Sequence, residues 1–366
     1  MPLPIIIGAA TLAAAAYGAK KGYDGYQKKS EADDIVADAQ KSYDSQKLIF
    51  DGKERYSALA LQMLGELELK IGQEFNEFKT LANDLLEKIN KNGKKQDLSI
   101  HIPKHQLEKI EQYTVSAVSV LGTIAGAGAA SAATGFAVYG GVMALGAAST
   151  GTAISALSGA AATKATLAAI GGGSLATGGL GIAGGTAILG AAVTAPVLAI
   201  AGWAYDSYGE ESLKNAHKIK GEVNNAVAKL MKAGEMLDDA SRYAESIKST
   251  LHFIFIQFEG YFQELKNINS FIEDIKNRGV DVEREIERMG SDIIKVVENG
   301  YMLAAILTDL ITTPIFKVKE VAGRPVLEKD GSPVMLKDED GSMVLNGNAL
   351  DYAIRTAKEE ARKFAS

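Results

Sequence analysis

The chain has 366 residues, a net charge of −6, 47% hydrophobic and 23% charged residues, and no cysteine. That length suits two domains or one elongated one, and mild acidity without a basic stripe excludes the usual nucleic-acid binder. The absence of cysteine excludes a disulfide framework and a thiolate metal site.

Of seven prolines, only Pro103 and Pro196 fall between residues 5 and 313. Proline removes a backbone donor and clashes with the preceding turn, so three hundred residues with two interruptions predict an almost wholly helical chain. The expected class is all-α: a long-helix bundle or coiled coil with a Gly/Ala-rich hydrophobic hairpin, a small C-terminal β-meander and a closing helix. Five segments follow from the composition: 1–29, 30–112, 113–205, 206–313 and 314–366.

Met1 to Ala19 carries no charge, and Lys20, Lys21, Lys28 and Lys29 follow. A signal peptide places its positive charge before the apolar stretch, not after it. The segment is short of the roughly 20 residues of a full span; a shallow span, an anchoring amphipathic helix and a buried core helix all fit, and membrane contact is the expectation. Ser30-Glu31-Ala32-Asp33 reads as a capped helix start. From there Leu64, Leu67, Ile71, Phe75, Phe78, Ala82, Leu85 and Ile89 form an apolar seam in steps of three and four. Asn92-Gly93 ends that helix, and a new one begins near Lys104, after Pro103.

Residues 113–205 hold one charged side chain, Lys164, and 19 of the 38 glycines. A helix apolar all round must be buried in protein or in lipid. The remaining amphipathic helices cannot be expected to enclose the whole stretch, so lipid is the predicted partner. Small residues favour close helix contact: Gly122-x-x-x-Gly126 and Gly181-x-x-x-Gly185 have the small-x-x-x-small spacing. Helices are expected at about 115–148, 152–170 and 180–204, with Pro196 able to kink the last. Trp203, Tyr205 and Tyr208 sit at the exit, where amphipathic rings favour the bilayer interface. Lys164 reads as a loop residue at a hairpin tip, or as a charge lining a polar interior.

Residues 206–312 give the longest periodicity. Ala216, Ile219, Val223, Ala226, Leu230, Ala233, Leu237, Ala240, Ala244, Ile247, Leu251, Ile254, Phe258, Tyr261, Leu265, Ile268, Ile272 and Ile275 form a heptad seam. The 64–89 seam is its expected partner within the chain; dimerisation as an ordinary coiled coil is the alternative. Arg278-Gly279 ends this helix, and another runs through Tyr301 to Ile311. After Pro314, Asp330-Gly331-Ser332-Pro333-Val334 and Asp340-Gly341-Ser342-Met343-Val344 repeat a hairpin-turn signal, predicting a β-meander at 315–346 and a helix at 349–364.

No constellation of catalytic residues emerges. There is no G-x-x-x-x-G-K-[ST] phosphate loop, and Pro103 between His101 and His105 rules out a shared metal-binding helix face. His217 and His252 lie off the seam and should face solvent or lie between helices. The chain is therefore expected not to be an enzyme, and to need no cofactor, metal or small-molecule substrate.

An apolar segment flanked by long heptad helices resembles the α-helical pore-forming toxins of the cytolysin A and haemolysin BL group. The resemblance is architectural, without a shared residue motif. It implies that residues 113–205 form a tongue that moves from a helical bundle into a membrane, with 216–275 as the stalk helix. The layout is also similar to the apolipoprotein L group, and the stretch from Ser149 to Gly190 to glycine-rich segments of uncharacterised bacterial proteins. The expected partners are a lipid bilayer and either further copies of the chain or another helical protein, with no nucleic acid. The functional expectation is a membrane-located protein that oligomerises to form a pore or permeabilise a bilayer; the alternative is a constitutive membrane scaffold or tether whose coiled coils bind a partner.

Overall fold

The computed structural model describes residues 19–92, 101–123, 133–138, 210–279, 281–322, 324–326, 334–339 and 343–364. Five long helices account for most of them: α1 (Ala19–Asn92), α2 (Lys104–Thr123), α3 (Glu210–Asn277), α4 (Val282–Ile311) and α5 (Gly347–Ala361). Residues 133–138 are also helical. The protein is all-α, with very little strand structure. Met1–Leu48 with Ala191–Met231 form one compact unit, and Ile49–Gly190 with Lys232–Ser366 form a second, so α1 and α3 each contribute to both.

In the first unit, α1 buries Ala32, Val36, Ala39 and Tyr43, and α3 buries Ala216, Ile219, Val223, Ala226 and Leu230. The intervals of three and four place each set along one face of its helix. Ser30 does not start a helix: α1 already runs from Ala19, and Ser30 is an exposed position within it.

The second unit is a four-helix bundle with α5 laid against α4. α1 and α3 run parallel, because successive cross-links advance together along both: Lys53 to Asp238 at 2.6 Å, Lys70 to Glu259 at 3.0 Å and Lys88 to Glu273 at 3.5 Å. α2 and α4 run the other way. Tyr113 and Ala117 of α2 meet Phe75 and Gly72 of α1 in reverse order, as Gly290 and Gly300 of α4 meet Ile89 and Phe78. The expected partnership of the two apolar seams is thus present within the chain, in the company of two further helices. Leu237, Ile247, Leu251, Ile254, Phe258, Leu265, Ile268 and Ile272 are all buried. Tyr261 is only half-buried, while Phe255 and Phe262, outside the heptad seam, are fully buried. A bundle core covers a wider stripe of each helix than a two-stranded coil does.

The helix ends follow local chemistry. α2 begins directly after Pro103, whose carbonyl accepts from the Gln106 and Leu107 backbone N–H groups. Gly279 takes φ +69, ending the segment after α3 in a conformation glycine adopts without steric cost. Asp281 then caps α4 by accepting from the Arg284 backbone N–H.

The expected β-meander is reduced to fragments among the described residues. β1 (Glu320–Val321) pairs antiparallel with β2 (Arg324–Pro325), and single bridges join Phe316 to Leu345, Val318 to Met335 and Lys337 to Met343. Segment 315–321 thereby meets three short segments in turn along its length, held by bonds such as Lys317 N–H to the Val344 carbonyl at 2.8 Å and Lys319 N–H to that of Val334 at 2.7 Å. The turn between β1 and β2 uses Ala322 at φ +52; the two Asp-Gly pairs expected to make turns lie outside the described residues. Ile315, Phe316 and Met335 bury against the helices, and α5 closes the unit through Leu350, Ile354, Ala357 and Ala361.

Candidate site where the uncharged segment meets the bundle

α2 carries the chain from the bundle into the uncharged segment, and its exposed face changes along its length. Lys104, Glu108 and Glu111 give way to Val115, Val118 and Gly122, all exposed. Gly122 has open space where a Cβ would be, so nothing among the described residues packs on it. The uncharged stretch resumes at 133–138, where Ala133, Phe136 and Ala137 are buried.

The seat for these residues is built by two glycines of α1. At Gly65 an added Cβ would overlap the backbone carbonyl of Ala133, and at Gly72 it would overlap the Ala117 methyl. Seven residues separate the glycines, which places them two turns apart on one helix face. Removing two Cβ atoms from that face lets the Ala133 backbone and α2 approach α1 more closely than any side-chain-bearing residue would allow.

Aromatic rings extend the seat into the core. Phe136 packs at 6.1 Å from the Tyr113 ring, Tyr113 at 5.9 Å edge-on to Phe75, and Phe75 at 5.0 Å from Phe258. Phe258 meets Phe78 at 5.2 Å, and Phe78 meets Tyr301 at 5.2 Å. One series of rings therefore links the uncharged segment to α2, α1, α3 and α4. Offset and edge-on pairs of this kind add about 0.5–1.5 kcal/mol each beyond the area they bury. The Tyr113 hydroxyl donates to the Glu68 carbonyl, fixing the ring against α1.

Glu68 is the unexpected member. It lies three residues after Gly65 and four before Gly72, and its side chain belongs to that same face. It is 3% exposed. Burial pushes its carboxyl well above the ordinary carboxylate range, because an apolar setting disfavours the charged form.

Nothing similar was found. No protein-family model, curated protein or solved structure matches the chain.

Of the residues expected to insert into a membrane, only Gly122 is described. Gly126, Lys164, Gly181, Gly185, Pro196, Trp203 and Tyr205 lie outside the described residues, as do the expected helices at 152–170 and 180–204, most of that at 115–148 and the first 18 residues. No helix among the described residues is long and apolar enough to cross a membrane. No group of acidic or histidine side chains among them could hold a metal ion. His101 is exposed, its Nδ1 3.1 Å from Glu298, while His105, His217 and His252 are exposed on helix surfaces. The expected seam residues converge in helix packing. The expectations missed Gly65, Gly72, Glu68, Tyr113 and Phe136 as a site, although two glycines seven apart in a helix, bracketing a glutamate, were a legible signal of close approach.

Proposed function

We propose that the chain is a membrane-inserting helical protein whose bundle holds one end of an uncharged segment, and which oligomerises to permeabilise a bilayer. The observation that carries this reading is the stretch 113–205, with a single charged side chain among 19 glycines and many alanines. Such a segment is apolar enough to enter lipid but buries little area per residue, so its preference for lipid over protein is small. A weak preference suits conditional insertion: a modest change in how firmly the bundle grips the segment is enough to shift the balance. The seat at Gly65 supports the reading, because it holds part of the segment by close backbone contact together with the single ring of Phe136. The lysines after the N-terminal apolar stretch would add attraction to anionic lipid.

Purified protein added to dye-loaded liposomes tests the proposal. Release that scales with a power of protein concentration above one is expected, since several copies must combine. Vesicles that stay intact across lipid compositions and pH overturn it.

A further inference from the structure

The Glu68 side chain is removed from water and shares the α1 face on which Ala133 sits at Gly65 and Ala117 at Gly72. A methionine or leucine would fill such a position without electrostatic cost, so the acid introduces a sensitivity that apolar packing lacks. We propose that Glu68 gates the seat: with its carboxyl neutral, residues 133–138 stay packed at Gly65, and ionisation of the carboxyl lifts them off. This rests on the reading of 113–205 as the membrane-inserting segment, and it names what regulates that segment's hold on the bundle.

The surroundings leave Glu68 as the group that responds. Residues 133–138 contain no titratable side chain. From α2 the nearest titratable group is the phenol of Tyr113, engaged with the Glu68 carbonyl; Lys109 and Glu111 are paired with Asp309 and Lys79 at 2.5 and 2.6 Å. The stretch of α3 alongside presents Ile247, Leu251 and Ile254 to the core. Its charged groups lie on the flank, where Glu245 accepts from Tyr56, Lys248 approaches the Met63 sulfur at 3.8 Å, and Glu259 pairs with Lys70, while His252 is exposed. α4 contributes Asp309, already paired with Lys109. On α1 itself Glu66 points outward and Glu74 pairs with Lys70 at 3.5 Å. Among the described residues no cation is placed to hold Glu68 charged, and burial is what raises its proton affinity.

The sign follows. Packing that favours the neutral acid is at full strength below the ordinary glutamate value of 4.5, weakens as pH rises above it, and reaches its minimum once pH passes the raised value of Glu68. Across that window the docking equilibrium falls by about tenfold per pH unit. The seat is therefore closed in acid and opens toward neutral and alkaline pH. Lifting 133–138 exposes the carboxyl to water, and its proton leaves to solvent.

The absence of cysteine permits a single label. A nitroxide on Val138→Cys, a half-buried position, reports docking through its electron paramagnetic resonance line shape, without lipid present. The label should be immobile near pH 4.5, with a mobile population that grows by about tenfold per pH unit; in Glu68→Gln it should stay immobile throughout. A line shape constant from acid to alkaline pH overturns the proposal, as does an unchanged transition in Glu68→Gln. If Glu68→Gln fails to fold by circular dichroism, Glu68→Met serves in its place under the same criteria. Dye release from the same samples separates the two readings: release absent at every pH, with the label still mobilised by base, refutes membrane permeabilisation and supports the gate.

Discussion

Gly65→Ala is the substitution whose sign depends most directly on the seat. In a helix interior, alanine is about 1 kcal/mol more favourable than glycine, so an unobstructed site gains that amount. Gly260 of α3 provides the reference, since it is exposed with nothing within 4 Å of an added Cβ. Gly260→Ala should stabilise the protein by up to about 1 kcal/mol. At Gly65 the added methyl meets a backbone carbonyl, which cannot rotate away as a side-chain tip can, and forced repacking of this kind costs about 1–3 kcal/mol. Setting the helix gain against that cost leaves Gly65→Ala between neutral and about 2 kcal/mol destabilising, a gap of about 1–3 kcal/mol from the reference. Urea unfolding followed by helical circular dichroism measures both, with the linear slope checked for constancy. An unfolding midpoint for Gly65→Ala raised as far as that of Gly260→Ala would refute close contact between Ala133 and α1.

Three further outcomes are expected. Phe258→Ala removes a fully buried ring in contact with Phe75, Phe78, Phe255 and Phe262 and should cost about 3–5 kcal/mol in urea unfolding; a loss below 1 kcal/mol would contradict the ring packing. Asp281→Ala deletes the cap of α4 and should cost about 1 kcal/mol, with Asp281→Asn retaining most of the stability. Ala322→Gly relieves a left-handed alanine and should raise stability by about 1 kcal/mol or slightly more; a destabilised variant would show that the turn adopts another conformation in solution.

The helical class was legible because proline is nearly absent over three hundred residues, and several boundaries were legible because each is set by one residue. Pro103, Arg278-Gly279 and Pro314 act locally, so neighbours in sequence suffice to read them. Ser30 misled for the same local reason: an exposed serine before acidic residues looks alike at a helix start and on the surface of a longer helix. The heptad seam named the buried face of α3 but not its width, because Phe255 and Phe262 meet Lys70 and Phe78 of α1, a helix far away in sequence. Asp-Gly pairs advertised turns, whereas the turn between β1 and β2 uses an alanine whose conformation its neighbours did not reveal. At the seat, the contact between Gly65 and Ala133 joins residues 68 positions apart, and side-chain periodicity carries no information about such a meeting. Glu68 was hidden because a glutamate beside an apolar seam ordinarily faces water.

The parallel course of α1 and α3 has a mechanical consequence for the second unit. α2 ends at the pole where α3 enters the bundle, while α1 and α3 end and α2 and α4 begin at the opposite pole. Tension applied beyond Val138 would therefore bear on the first pole, beginning at the turn near Gly65. Rupture would spread contact by contact from there toward Tyr113 and Phe75.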